Sequence, residues 1–315
     1  MTEPLFLHPV FQERIWGGTA LKERFGYDIP SDRTGECWAV SGHPNGQSVV
    51  KNGTYAGKTL GELWDTNREL FGNLEGKVFP LLVKILDANA DLSVQVHPDD
   101  EYAAKYENGE LGKTECWYVI DCKEGAEIVF GHTAKTKEEL RNQIEAGNWD
   151  ELLRRIPIKP GDFFYVPSGS IHALGEGTLI LETQQSSDTT YRVYDYDRVD
   201  QKGKKRKLHI EQSIAVTTVP HKDPHLDITV EQVQDARITT FLEGEYFSVY
   251  KWEVSGEITA KQEQPFLLFS ILDGEGELVV GEESYPLGKG EHFLLPATIN
   301  DFTLKGNLEC IVSHP

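Results

Sequence analysis

Polar residues of the kinds that bind divalent metals occur inside a segment that is otherwise apolar. Gln95 and His97 lie two residues apart in DLSVQVH (91–97), so in a strand both side chains project from one face. Val94 and Val96 then face the other way. A buried polar pair is costly unless a partner satisfies it, and a bound cation would satisfy both groups. The spacing therefore predicts metal ligands.

Glu115 and His172 provide two further candidate ligands. Glu115 opens the apolar segment ECWYVID, where a free carboxylate would be expensive to bury. His172 follows a Pro-Ser-Gly turn, at the point where the next strand should begin. Two imidazoles, one carboxylate and one amide oxygen suit Zn²⁺ and, less selectively, Mn²⁺, Co²⁺ or Fe²⁺. Since the set contains no cysteine, a thiolate structural zinc site is excluded.

The elements that must position these residues are mostly strands. The segments before residue 200 are rich in β-branched and aromatic residues and are interrupted by Gly, Pro, Asn or Asp. They are 77–86, 91–97, 115–121, 126–132, 162–167, 178–184 and 190–196. From about residue 226 the pattern predicts strands alone. Many short strands with regular turn signals indicate a sandwich or barrel.

Three stretches have helical patterns. Residues 59–71 place several leucines and Trp64 near one face, and 99–106 open with two acidic residues. Residues 136–156 begin with a capping-box pattern, Thr136 followed by Glu139. Gly147-Asn148 should divide this last stretch into two short helices.

A weak internal repeat suggests two barrels. Residues 161–172 have the spacing Gly-x5-Pro-x-Gly-x2-His, and 290–301 repeat it with threonine for the second glycine and aspartate for the histidine. The alternative is that any turn–strand–turn unit has this spacing. If the repeat is real, we expect a metal-binding domain at 1–222 and a C-terminal domain without ligands at 223–315. A polar segment with two prolines, 217–224, would link them.

Composition and charge limit the partners. The formal net charge of −20 argues against nucleic acid or an anionic membrane as the main partner. An anionic substrate would therefore need a locally cationic pocket. The N-terminal segment lacks the basic and apolar regions of a signal peptide, and no apolar run approaches the length of a membrane span. Four well-separated cysteines are typical of reduced core thiols, so we expect a cytoplasmic protein.

The residues 161–172 resemble the second conserved motif of cupins, and Gln95-Val-His97 with Glu115 is similar to the first. LSVQVHPDD, GKTECWYVI, VPSGSIHAL and TTYRVYDYDR together resemble the type I mannose-6-phosphate isomerases, particularly their short bacterial form. The likeness runs over about residues 1–220. It implies a mainly β fold of two cupin (jelly-roll) barrels, with a few short helices inserted in the first and a degenerate second barrel.

The resemblance also implies an activity and a set of residues. The expected reaction interconverts mannose 6-phosphate and fructose 6-phosphate through an enediolate, with a small sugar phosphate as the only predicted partner. The metal would offset the developing negative charge. The family's zinc ligands fall on Gln95, His97, Glu115 and His172, its active-site arginine on Arg192 and its pocket lysine on Lys113.

Several assignments stay open in the sequence. Arg192 would stabilise charge and orient substrate, or instead grip the phosphate; the alternative is a surface arginine paired with Asp195 or Asp197, which the family resemblance disfavours. Lys113 is a candidate for either task. A metal-bound water, a carboxylate or a histidine could shuttle the proton between C1 and C2.

Two other classes of function also remain open, and several residues outside the candidate site need an interpretation. A different metal-dependent cupin enzyme such as a dioxygenase is one alternative, against which Gln95 argues mildly, and a non-catalytic sugar-binding cupin is the other. The basic run 204–207 is interpreted as a solvated hairpin tip, and His43 and His132 as structural residues. The oligomeric state is not predicted.

Overall fold

Strands dominate the computed structural model, which describes residues 3–199 and 203–315. Strands β1 to β13 are Leu5–His8, Val10–Gly18, Thr34–Ser41, Val49–Val50, Leu81–Ala88, Val94–Val96, Glu115–Cys122, Glu127–His132, Leu153–Pro157, Phe163–Val166, His172–Leu174, Thr178–Gln185 and Tyr191–Tyr194. Strands β14 to β20 are Thr229–Val233, Ala236–Glu243, Ser248–Lys261, Phe266–Val280, Glu283–Gly288, His292–Pro296 and Asp301–His314. Helices α1 to α6 are Ala20–Phe25, Leu60–Thr66, Asp100–Tyr106, Lys137–Ala146, Trp149–Leu152 and Ile210–Val216. None of the helices in the described part of the chain has the length and apolar composition that crossing a membrane requires.

Side-chain caps set the starts of the predicted helices. Thr59 and Glu62 form a complete capping box at the start of α2, and a 3₁₀ turn, Arg68–Phe71, continues the predicted stretch. Asp99 caps α3 by accepting a hydrogen bond from the Tyr102 backbone N–H at 2.8 Å. These predicted starts are confirmed.

The prediction for 136–156 is right at its start and wrong at its end. Thr136 caps α4, and Gly147 ends it in the left-handed conformation, with φ of 69°. The second helix, α5, stops at Leu152, and residues 153–157 form strand β9 instead. They become a strand because they pair with the edge of β8, with Ile156 opposite Ile128. The sequence patterns also missed α1 and α6.

Two sheets in the first part of the chain pack face to face. The six-stranded sheet has the order β10-β7-β12-β5-β3-β2, and the five-stranded sheet has the order β13-β6-β11-β8-β9. Buried apolar residues of both sheets form a core between them, for example Trp117 and Ile180 from the first with Phe130 and Leu174 from the second. This is the predicted jelly-roll arrangement, with the short helices at its margins.

The C-terminal part is built around one large sheet. It contains nine strands, in the order β14-β15-β16-β20-β17-β19-β1-β4, with β18 paired to β17. Gly256, Gly306 and Gly276 lie opposite one another across its three long strands. A Cβ atom at Gly306 would lie 2.6 Å from the Glu275 carbonyl oxygen, so this position admits only glycine.

Both copies of the repeated spacing have the same local structure. Gly161 precedes β10, Pro167 follows it, and His172 begins β11. In the second copy Gly290 precedes β19, Pro296 ends it, and Asp301 begins β20. The residue in the histidine position therefore starts a strand in each case, and only the first copy carries an imidazole there.

The N-terminal strand belongs to the C-terminal sheet. Strand β1 pairs with β19 on one side and β4 on the other, with Leu5 opposite Leu294 and Leu7 opposite Val50. A single core cluster includes these leucines and residues from both parts of the chain, among them Phe247 and Phe266. The division at 222 and 223 stays a prediction, and the two parts share this core.

Candidate metal centre

Three of the four predicted ligands converge in the interior of the first jelly roll. The ligand atoms of His97, Glu115 and His172 all lie within 4.8 Å of one another. His97 Nε2 is 3.3 Å from Glu115 Oε2, and His172 Nε2 is 3.3 Å from Glu115 Oε1. The side chains are almost completely buried, with exposures of 1%, 0% and 1%.

Strand register brings these residues together from both sheets. His172, at the start of β11, lies directly opposite Gln95 of β6, and His97 follows β6 immediately. Glu115 begins β7 in the facing sheet, opposite Val166 of β10. Because cross-strand partners share a face, Gln95 and His172 project toward the same side, as the predicted ligand set requires. Whether Gln95 itself binds a metal stays a prediction.

Hydrogen bonds at the far side of each ring orient the two imidazoles. Nδ1 of His97 donates to the Thr189 carbonyl and Nδ1 of His172 to the Ser170 carbonyl, each at 2.9 Å. Since a carbonyl only accepts, each Nε2 carries a lone pair directed at Glu115. Burial, followed by the charge of Lys113, lowers the pKa of His97 to about 3, and burial likewise lowers the pKa of His172. Both rings are neutral at physiological pH.

The arrangement fits a divalent cation. Among the residues that the structure describes, Glu115 Oε1 and His172 Nε2 are buried without a hydrogen-bond donor. Buried acceptors that face one another in this way are unfavourable unless a cation lies between them. Two imidazole nitrogens and carboxylate oxygens are the donor set that zinc and related metals prefer.

Lys113 is a close neighbour of the ligand atoms. Its buried Nζ contacts Glu115 Oε2, lies 3.2 Å from His97 Nε2 and is 3.8 Å from Glu182 Oε1. Although burial opposes it, the carboxylates of Glu115 and Glu182 raise the pKa of Lys113, so this side chain is an ammonium. Lys113 therefore places a positive charge beside the metal ligands.

Arg192 lies next to Gln95 rather than in a surface ion pair. It is the cross-strand partner of Gln95 on β13, donates from Nε to Ser93 Oγ at 3.3 Å and from Nη1 to the Lys207 carbonyl at 2.9 Å. The carboxylate of Asp195 is bound by Arg198 and Arg206, and that of Asp197 by Lys205. The structure thus favours Arg192 as a pocket residue.

A cavity of about 330 Å³ lies against this row of residues. Its described lining includes the pocket residues Gln95, Lys113 and Arg192 and, in addition, Arg14, Trp16, Glu36, Lys84, Leu86, Leu92, Ser93, Glu182, Asp188, Thr190 and Arg206. Five of these side chains are basic and three are acidic. In a chain with a net charge of −20, this is the locally cationic pocket that an anionic substrate needs.

A row of charged residues that the motifs do not predict lies on the six-stranded sheet. Lys84 of β5 lies opposite Trp38 on one side and Glu182 on the other, and Glu182 lies opposite Trp117. Lys84 Nζ is 3.4 Å from Glu182 Oε1, and the Trp117 indole donates to Glu182 Oε2 at 3.1 Å. Burial and the nearby Glu115 raise the pKa of Glu182.

A second missed group, Arg14 and Glu36, stands beside this row. Arg14 forms a two-point ion pair with Glu36, at 2.9 and 3.0 Å, and the Trp38 indole donates to the same carboxylate at 2.6 Å. The sequence signal for these residues is the same as for Glu115, namely a charged residue inside an apolar strand. Glu36, Lys84 and Glu182 all have this pattern.

His43 and His132, which the sequence predicts to be structural, contact backbone groups. In the basic run 204–207, one residue differs from its neighbours. His132 contacts the Thr218 carbonyl through Nε2 at 2.9 Å, and His43 Nδ1 accepts from the Asn45 backbone at 3.2 Å. Lys205 and Lys207 are exposed, and the hairpin itself stays a prediction because residues 200–202 lie outside the described residues. Arg206 is different because it lines the cavity.

A jelly roll with a buried two-histidine, one-carboxylate cluster that could hold a metal ion is the architecture of the cupin class. Comparison with known proteins narrows this class. Residues 5–130 match the model of the phosphomannose isomerase type I catalytic domain, and 237–315 match that of the mannose-6-phosphate isomerase cupin domain. The chain belongs to the type I mannose-6-phosphate isomerase family.

Individual relatives are similar over their whole length. The chain is 63% identical to mannose-6-phosphate isomerase ManA of Bacillus subtilis over 313 residues, which is 99% of each chain. It is 58% identical to a mannose-6-phosphate isomerase of Streptococcus mutans, over 100% of this chain and 99% of the relative. The crystal structure of a Bacillus subtilis mannose 6-phosphate isomerase superposes with a TM-score of 0.98 at 58% identity, covering 100% of both chains.

Proposed function

We propose that this protein is an aldose–ketose isomerase that interconverts mannose 6-phosphate and fructose 6-phosphate. One structural observation supports this proposal in addition to the family membership. Two neutral imidazoles and a carboxylate converge beside a cationic cavity, and Glu115 Oε1 and His172 Nε2 have no hydrogen-bond donor there, which is an arrangement for a divalent ion and an anionic substrate. We infer that Gln95, His97, Glu115 and His172 hold one metal ion, Zn²⁺ in preference to Mn²⁺, Co²⁺ or Fe²⁺.

The chain's own residues supply the remaining functions. When bound, the metal acts as a Lewis acid that offsets negative charge on the sugar oxygens. Arg192, which its contacts with Ser93 and the Lys207 carbonyl hold in place, orients the sugar and stabilises the same charge. Lys113 provides a second fixed positive charge within hydrogen-bond reach of the ligand cluster.

The proton that moves between C1 and C2 needs a base. Of the groups left open by the sequence, the cavity lining contains a buried carboxylate, Glu182, whose raised pKa suits both accepting and returning a proton. Lys84 and Lys113 lie within 4 Å of its Oε1 and hold it at the cavity wall. We infer that Glu182 takes part in this transfer.

Three coarser inferences accompany the activity. We infer a metal-binding domain at 1–222 and a C-terminal domain at 223–315, since the candidate ligands all precede residue 223. The partner is a small sugar phosphate, consistent with the cavity's charge and size. A reducing, cytoplasmic location is supported by four free cysteines, three of them buried.

The test is direct. The purified protein is incubated with mannose 6-phosphate, and the formation of fructose 6-phosphate is measured. The assay is repeated after prolonged dialysis of the protein against a strong chelator. We expect turnover, its loss on metal removal, and its return with Zn²⁺ or Mn²⁺. Full turnover by the chelated, metal-free protein would contradict the metal-dependent mechanism. Binding of the sugar phosphate without turnover would indicate a non-catalytic sugar-binding cupin, and oxygen consumption with Fe²⁺ a dioxygenase.

A further inference from the structure

Two arginines bind the buried carboxylate of Asp195, and one of them, Arg206, lines the cavity. Arg206 donates from Nε to Asp195 Oδ2 at 2.8 Å and from Nη2 to Oδ1 at 2.5 Å. Arg198 Nη2 donates to the same Oδ1 at 2.6 Å. The side chain of Asp195 is only 5% exposed, whereas that of Arg206 is 25% exposed. Asp195 therefore holds the Arg206 guanidinium in one orientation while leaving part of it accessible.

The positive charge around Asp195 is only partly compensated. Arg192 and Arg206 both line the cavity, together with the hydroxyls of Ser93 and Thr190. Two guanidinium groups that line the same cavity repel each other, and in keeping with this, burial and the positive charge of Arg206 lower the pKa of Arg192. A dianion that bound here would relieve this repulsion.

Strand geometry separates this group of residues from the metal ligands. Ser93 and Gln95 are two residues apart on one chain segment, so their side chains share a face and lie about 7 Å apart along it. Arg192 connects the two positions, because it pairs with Gln95 across the sheet and donates to Ser93. A six-carbon chain with its carbonyl end at the metal ligands would direct its other end toward Ser93 and Arg206.

We propose that Arg206, oriented by Asp195, is a specificity-determining residue that binds the phosphate group of the sugar phosphate. The inference rests on the proposed function, which supplies the class of substrate. An arginine has five N–H donors, and its two described hydrogen bonds to Asp195 use two of them. The remaining donors match the several acceptor oxygens of a phosphate monoester, for which the planar guanidinium is well shaped.

The experiment compares Arg206→Gln with the parent protein in its metal-loaded form. We expect KM for mannose 6-phosphate to rise about ten-fold or more, equivalent to about 1.4 kcal/mol of binding, while kcat changes less than about three-fold. The concentration of inorganic phosphate that half-inhibits should rise in parallel. Slow isomerisation of unphosphorylated mannose should be unaffected, because that substrate has no group for Arg206 to bind.

Two further variants keep the test specific. Arg206→Lys retains the charge but not the planar fork, so KM should be only partly restored. Lys205→Gln removes a charge from the same hairpin at a side chain that is 62% exposed and pairs with Asp197, and should leave KM unchanged.

An unchanged KM and phosphate inhibition in Arg206→Gln would overturn the proposal, as would an equal rise in Lys205→Gln. If the parent protein does not isomerise mannose 6-phosphate, the proposed function fails. Calorimetric titration of the parent protein and Arg206→Gln with inorganic phosphate then decides the phosphate site independently. Weaker binding by the variant supports it, and equal binding refutes it.

Discussion

At the scale of single residues, the hydrogen bonds at Nδ1 decide what the two histidines do. The carbonyls of Thr189 and Ser170 each accept from an Nδ1 atom, which leaves the Nε2 lone pairs of His97 and His172 directed at Glu115. Orientation of this kind lowers the entropy lost on metal binding and fixes the tautomer. The candidate ligand atoms are therefore already oriented as metal binding would require.

Replacing His172 by Ala should remove the metal. Loss of an outer hydrogen-bond partner alone weakens metal binding about 10–100-fold, and loss of a ligand should weaken it by at least that factor. Zinc content after gel filtration is the measurement, with circular dichroism to confirm the β fold. His132→Ala, which alters a buried histidine outside the cluster, should keep its zinc. Full zinc occupancy in His172→Ala would show that the ligand assignment is wrong.

Arg192→Ala should reduce kcat by about two to three orders of magnitude with zinc retained, since a fixed donor to developing charge contributes a factor of that size. Steady-state kinetics and metal analysis on one preparation measure both quantities. Arg141→Ala, at an exposed arginine of α4 that pairs with Glu211, is the matched control and should behave as the parent. Unchanged turnover in Arg192→Ala would exclude Arg192 from the reaction.

At the scale of elements, a buried carboxylate supports a short helix. Helix α1 has only six residues, and its N-cap Thr19 makes no side-chain cap. Asp87 of β5 replaces the cap by accepting from the Ala20 backbone N–H at 2.7 Å. Burial nevertheless raises the pKa of Asp87 from its usual value to about 6.

This pKa predicts a pH dependence of stability. Between about pH 4 and pH 6 the folded protein retains a proton on Asp87 that the unfolded chain has lost, so the contribution of Asp87 to the unfolding free energy falls as pH rises. Asp87→Asn cannot titrate and can still accept from Ala20. The unfolding free energy of the variant minus that of the parent should therefore increase by about 1–2 kcal/mol from pH 4 to pH 6.5.

Urea unfolding at a series of pH values measures this difference. Asp65→Asn, the same substitution at an exposed position of α2, is the matched control. A flat or falling difference for Asp87→Asn would contradict the prediction.

At the scale of the whole molecule, the two parts of the chain share aromatic packing. Phe163 of β10 stacks on Phe241 of β15 with ring centroids 4.5 Å apart and planes within 3°. Tyr118 of β7 packs on the same Phe241, at 5.7 Å. The C-terminal sheet thus covers the outer face of the sheet that carries Glu115, and it stabilises that sheet from a distance.

Phe241→Ala should destabilise the whole protein without removing the metal. Truncating a buried phenylalanine costs about 3–5 kcal/mol, which corresponds to a Tm lower by roughly 5–10 °C in a chain of this size. Thermal unfolding and zinc content are measured together. Val230→Ala, on the exposed strand β14, should change Tm by little. A Tm equal to that of the parent in Phe241→Ala would show that the shared core does not stabilise the molecule.

The sequence by itself determined those features that depend on neighbouring residues. Two-residue alternation predicted that Gln95 and His97 share a face, and local capping predicted the starts of α2, α3 and α4. The repeated turn spacing and the motif resemblance placed His172 at the start of a strand. The helix starts and the strand start at His172 are confirmed, because each depends on backbone geometry within a few residues.

Only the tertiary structure decided the pairings between distant segments. Register places Lys84 between Trp38 and Glu182, joins β1 to β19, and turns residues 153–157 into a strand against β8. The fold also places Arg206, from the basic run 204–207, at the cavity wall. Strand register depends on contacts between residues far apart in the chain, and a one-residue shift would reverse every side chain, so no local pattern could reveal these neighbours.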